Sequence, residues 1–193
     1  MHLPAALNSP PLTDEQFAEL CAKHPDLRLE MSADGELIVK PATFSIPGLR
    51  NAEIGFQLKL WANADRRGLV SDSSTGFVLP NGARRSPDAA WTARQRLKQL
   101  PPEQLEGYWH LSPDFVIELR SPTDRIRSVR LKMEEWIENG TSLAWLLDPA
   151  ERSVTIYRPA MEPLRLLDAG TVQAGEPVAG FSLRLPPVWD PLA

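Results

Sequence analysis

The chain has 193 residues, of which 42% are hydrophobic, with 25 acidic and 21 basic side chains, 19 prolines, 11 glycines and one cysteine. This length and apolar share predict a single unit over residues 1–193 with a sizeable core, and exclude disordered and collagen-like chains. The lone Cys21 excludes an intramolecular disulfide, the scarcity of Cys and His excludes a structural zinc site, and the formal charge of -4 excludes a chain that coats nucleic acid by bulk positive charge.

Thr13-Asp14-Glu15-Gln16 is a capping-box pattern, so a short helix is expected from there to just before Pro25. Leu27, Leu29 and Met31 alternate with polar residues, Asp34-Gly35 supplies a turn, and Leu37 and Val39 resume the alternation, which predicts a hairpin. Ile54, Leu58 and Trp61 form one stripe of a long helix beginning near Leu49, with Gly68 as its left-handed terminator. Strands are expected at Leu69–Ser73, at Thr75–Leu79 and, after a turn at Asn81-Gly82, at Pro87–Trp91, and Pro101–Leu105 suits a helical turn. Asp114–Leu119 is the most hydrophobic run and a central-strand candidate. Ser121-Pro122-Thr123-Asp124 reads as the start of a helix that stops at Gly140, with Ile126, Val129, Met133, Trp136 and Ile137 as its apolar arc. Further strands are expected at Ser142–Leu147, around Val154–Tyr157, at Leu164–Leu167 and at Phe181–Leu185. The order predicts an α/β or α+β domain, a mixed sheet with two long helices packed on it.

No apolar run approaches the roughly 18 to 20 residues that cross a bilayer, and no leader-like segment opens the chain, so a cytoplasmic location without membrane contact is expected. Charge is uneven: residues 84–132 hold ten Lys or Arg against six Asp or Glu, which is +4 and leaves -8 for the rest. Such a segment is either a solvated face or one turned toward nucleic acid.

Glycine-rich phosphate loops, paired zinc-protease histidines and a Gly-x-Ser-x-Gly elbow are missing from the sequence. Instead, acids stand where a sheet ordinarily takes apolar residues: Asp88 before Ala89-Ala90-Trp91, and Glu118 between Ile117 and Leu119. Alone, Asp88 fits a turn, and Glu118 fits a strand residue facing solvent or paired with Arg120. Together, at the ends of neighbouring strands, the two carboxylates suit a shared hard cation such as magnesium or manganese. Lys132, beside the apolar arc of its helix, fits either a snorkelling lysine or a fixed positive charge beside those acids.

The succession Arg85-Ser86-Pro87-Asp88-Ala89-Ala90-Trp91, Pro113-Asp114-Phe115-Val116-Ile117-Glu118-Leu119-Arg120-Ser121-Pro122-Thr123-Asp124, Lys132-Met133 and Trp145-Leu146-Leu147-Asp148-Pro149 closely resembles the Uma-type family of bacterial restriction-endonuclease candidates, within the PD-(D/E)XK nuclease superfamily. The resemblance runs from about Leu12 through Trp189. It implies a restriction-endonuclease-like fold, a mixed central sheet flanked by helices behind an N-terminal helix and hairpin. It further implies a magnesium- or manganese-dependent endonuclease acting on DNA, with Asp88 and Glu118 as metal-binding acids, Glu53 as an additional acid assisted by Gln57, and Lys132 as the assisting lysine. Arg120 stands where the superfamily expects that lysine, and arginine does not readily release its proton. Arg84, Arg85, Arg120, Arg125 and Arg127 are then the expected phosphate contacts, and a homodimer would suit cleavage of both strands. The alternatives are a catalytically inactive nucleic-acid-binding module on the same fold, or a protein-interaction domain using the Pro186-Pro187-Val188-Trp189 segment, in which Trp189 equally fits a core anchor.

Overall fold

The structure, a computed structural model, describes residues 11–40 and 43–193. It opens with α1 (Asp14–Lys23), the hairpin β1 (Arg28–Met31) and β2 (Leu37–Lys40), and the long helix α2 (Ser45–Asp65). Four strands follow, β3 (Gly68–Asp72), β4 (Phe77–Val78), β5 (Arg84–Arg85) and β6 (Ala89–Ala93), then the single turns α3 (Arg94–Leu97) and α4 (Pro102–Leu105). Next come β7 (Phe115–Leu119), α5 (Ile126–Glu138), β8 (Leu143–Asp148), β9 (Ser153–Tyr157), β10 (Leu164–Leu167), β11 (Thr171–Gln173), β12 (Ser182–Arg184) and α6 (Pro186–Trp189).

The architecture is mixed α+β. A six-stranded sheet in the order β10-β9-β8-β7-β6-β3 carries the core, a four-stranded sheet β2-β1-β5-β4 stands beside it, and β11 and β12 pair separately. Within the large sheet β7 and β8 run parallel, and the other pairs are antiparallel. A parallel pair needs a crossover, which α5 supplies. The sheet therefore has two covered faces. Phe115, Ile117 and Leu119 turn toward Ile54 and Leu58 of α2, whereas Val116 turns toward Met133 and Trp136 of α5.

Several local expectations shift. Helix α2 starts at Ser45, ahead of Leu49, because Pro47 falls in the first turn, where its missing N–H has no partner to lose. Its left-handed terminator is Arg66 at φ 64°, not Gly68, with the Arg66 N–H bonded to the Ala62 carbonyl. Gly68 is needed for a different reason: a Cβ there would overlap the Trp91 indole and lie 2.5 Å from the Thr92 carbonyl oxygen. Gly68→Ala should therefore destabilise the fold by about 1–3 kcal/mol, the usual cost of overpacking, read as a lower urea midpoint at unchanged slope.

The strand expected at Pro87–Trp91 is β6, which starts two residues later and runs to Ala93, while β5 just before it belongs to the small sheet. Ser86, Pro87 and Asp88 are the crossing between them. The strand expected at Thr75–Leu79 contracts to the two residues of β4, because Thr75 closes a turn onto the Asp72 carbonyl. Ser121 does not cap α5. The Asp124 carboxylate accepts from the Ser121 N–H at 2.8 Å, which closes a separate turn, and the helix begins at Ile126. The Pro186–Trp189 segment is no docking tail: it forms α6, with Val188 and Trp189 buried and the Trp189 indole donating to the Ala169 carbonyl. Among the described residues no helix is long and apolar enough to cross a membrane.

Candidate active site

Register brings the two acids together. Ala89 pairs with Ile117, so one further antiparallel step sets Asp88 across from Glu118. Because side chains alternate along β7, Glu118 follows Val116 onto the α5 face, where it is only 6% exposed. A carboxylate there must be paired or it costs several kcal/mol. Lys132 Nζ lies 2.7 Å from Glu118 Oε1, and the Trp136 indole N–H donates to the same oxygen at 2.9 Å. Lys132 and Trp136 are one helical turn apart, so a single face of α5 serves this carboxylate. Half-buried Asp88 accepts from the Leu119 N–H at 2.8 Å through one oxygen and from the Asn51 amide at 3.0 Å through the other.

Lys132 has further partners: its ammonium is 3.3 Å from Glu30 Oε1 and donates to the Ser86 carbonyl at 3.1 Å. Glu30, on β1, is also faced by Arg85 at 3.4 Å and Lys40 at 3.9 Å, and Arg85 reaches on to Glu135 at 2.5 Å. Both buried glutamates are pushed up by burial, but their surroundings differ. For Glu30 the positive charges of Lys132, Lys40 and Arg85 outweigh burial and hold its carboxyl below the usual range. For Glu118 burial prevails over Lys132, and the nearby charges of Asp88 and Glu30 add to it, so its carboxyl is raised. Burial also disfavours the Lys132 ammonium, yet Glu118 and Glu30 overcome that and raise its pKa, keeping it charged.

These groups line a cleft of about 520 Å³ between the β1–β2 hairpin, the first turns of α2 and α5. Of the residues singled out in the sequence, Asp88, Glu118, Lys132, Arg85 and Arg125 line it. Glu53 does not. It lies two residues from Asn51 on α2, hence on a different face, where it accepts from Gln57, whose amide also bonds the Arg184 backbone. Arg84 and Arg85 likewise point apart: Arg84 is 7% exposed and ion-paired with Asp14 at 2.9 Å, away from the cleft. Arg120, in the position of the displaced lysine, reaches Asp148 at 2.6 Å, and Arg127 is exposed and outside the cleft lining.

Sequence reading passed over Glu30, Asn51 and the basic rim residues Arg28 and Lys40. The alternation of Leu29 and Met31 does place Glu30 on the opposite face of the hairpin, but nothing in a single sequence says that this face is covered by α5 rather than water. Lys132 followed by Trp136 at i+4 was the available signal that α5 carries two donors toward one acceptor.

The donor set fits a hard divalent cation. Two carboxylates face each other at the cleft floor, and counting Glu30, Asp88, Glu118 and Glu135 against Lys40, Arg85 and Lys132 leaves negative charge in excess. Among the described residues no cluster of three or more His, Cys, Asp or Glu suits a metal ion.

A family model, Uma2, described as "Putative restriction endonuclease", matches residues 14–186. No curated protein matches the chain. Among solved structures, a "putative nuclease belonging to DUF820" from Anabaena variabilis ATCC 29413 superimposes with a TM-score of 0.76 at 21% identity, covering 93% of this chain and 98% of its own. At that identity the likeness is one of fold.

Proposed function

The chain belongs to the Uma2 family of restriction-endonuclease type, and on that premise we propose that it is a divalent-metal-dependent nuclease hydrolysing DNA phosphodiester bonds in the hairpin–α5 cleft. The observation that carries this reading is the convergence of Asp88, just before β6, Glu118 of β7 and Lys132 of α5 on one cleft. Asp88 and Glu118 hold the cation, magnesium or manganese, and Glu53 stands outside the set. Bound there, the ion supplies Lewis-acid charge to the scissile phosphate. Asn51 and the Leu119 N–H fix the Asp88 carboxylate, and Trp136 fixes that of Glu118. Lys132 keeps a positive charge beside them, preorganised for the negative charge that the phosphoryl oxygens carry during displacement. Arg28, Lys40 and Arg125 line the cleft and take the flanking phosphates of the strand.

The test is nicking of supercoiled and single-stranded DNA by purified protein. Cleavage with magnesium or manganese that EDTA stops is the expected result. Cleavage indifferent to EDTA would sink the metal assignment, and metal-independent binding without cleavage would favour the inactive binding module.

A further inference from the structure

Glu30 has no part in the reaction described above, yet it is 2% exposed and more heavily contacted than a hairpin requires. Its carboxylate meets Lys132, Arg85 and Lys40, and it also accepts from the Ser86 N–H at 3.4 Å. The Ser86 carbonyl in turn accepts from Lys132. An ammonium has three N–H donors, and Lys132 faces three oxygens, those of Glu118, Glu30 and Ser86. Two of the three are Glu30 itself and a residue that Glu30 anchors.

Resting on the nuclease reading above, we infer that Glu30 is a positioning residue that holds the Lys132 ammonium against Glu118 at the cleft floor and locks the Ser86–Asp88 crossing in place. A lysine stem is flexible, and its head is a strongly hydrated point charge. Without Glu30 the amine loses one of its three acceptors and keeps only Glu118 and the Ser86 carbonyl, the latter on a crossing that Glu30 also anchors. A carboxylate serving only to close the hairpin would not need to reach α5.

The inference is tested with Glu30→Gln, which keeps the shape and removes the charge. Trace acetylation followed by peptide mass spectrometry should show Lys132 labelled severalfold faster than in the wild type, relative to the exposed Lys59 and Lys98. On DNA, kcat should fall about 10- to 100-fold, the range typical of residues that orient a site's direct contacts, with KM unchanged. In a Lys132→Ala background the same substitution should cost nothing more, since the two act as one unit. Unchanged labelling of Lys132, an equal cost in both backgrounds, or a change confined to KM would overturn the role. Should Glu30→Gln fail to fold, Glu30→Asp retains the charge but shortens the reach by one methylene, and faster labelling of Lys132 is again expected. If the wild type cleaves no DNA, labelling still decides the positioning role, and only the nuclease reading falls.

Discussion

Asp88→Asn should abolish metal-dependent cleavage, by about a thousandfold or more, while the protein stays folded. The loss follows from charge: an amide holds a divalent cation far less well than a carboxylate, and the several kcal/mol of phosphate stabilisation go with it. Retention of the fold follows from the hydrogen bonds. Asp88 now accepts from the Leu119 N–H and from the Asn51 amide, whose own oxygen is buried without a partner. If the new asparagine turns its oxygen to Leu119, its NH2 faces Asn51, and a flip of the Asn51 amide brings that orphaned oxygen round to accept. The Asn51 NH2 then takes the place where its oxygen now lies without a partner, so the number of unpartnered buried groups is unchanged. The substitution also removes a negative charge that raises the Glu118 carboxyl, so the melting temperature should be equal to or above that of the wild type. Full cleavage by Asp88→Asn would sink the site assignment, and a large drop in melting temperature would sink the account of the hydrogen bonds.

The parts of this fold that could be read from the sequence are those where one segment's chemistry decides the outcome. The capping box at Thr13 forms as written, with Gln16 accepting from the Thr13 N–H and Thr13 from the Gln16 N–H. The apolar run of β7 is buried along its whole length, and Gly140, at φ 103°, follows α5 after its Asn139 cap. Glu118 stood out because a lone acid in such a run must have a partner somewhere. What could not be read was set by pairings between distant segments. The Arg84-Arg85 pair reads as one basic patch, yet on a two-residue strand the two side chains go to opposite faces, one to Asp14 and the other to Glu135 and Glu30. Glu53 and Asn51 are both polar residues of α2, and only the packing of α2 against the sheet decides that the asparagine meets Asp88. Arg120 reads as a phosphate contact, yet its guanidinium bonds Asp148 at the end of β8, a partner that only the strand pairing brings near.

Lys132→Met should carry the largest stability cost of any change at the site, and that cost should depend on pH with a definite sign. Methionine matches the length of the stem but leaves Glu118 and Glu30 without their shared cation. Glu30 keeps Arg85 and Lys40, whereas Glu118 keeps only the Trp136 N–H. Breaking a buried pair from one side costs about 3–5 kcal/mol, which for a chain of this size lowers the melting temperature by about 10 °C at pH 7. In the variant the Glu118 carboxyl, already above its ordinary value of 4.5, rises further. Its folded-state pKa then exceeds the unfolded one, so the penalty is fully present above the folded value and fades as pH falls toward 4.5. In the wild type Glu30 acts in the opposite sense: its lowered carboxyl contributes stability above 4.5 that is lost as pH falls through the folded value. The gap between the two proteins therefore narrows on acidification, through Glu118 on the way down to pH 4.5 and through Glu30 below it, and a gap constant between neutral pH and pH 4.5 would refute the pairing scheme. Cleavage should not return as the gap closes, because protonating Glu118 relieves the fold without restoring an ammonium beside the scissile phosphate. Recovery of activity at low pH would mean that Lys132 serves only to neutralise Glu118 and takes no part in the reaction.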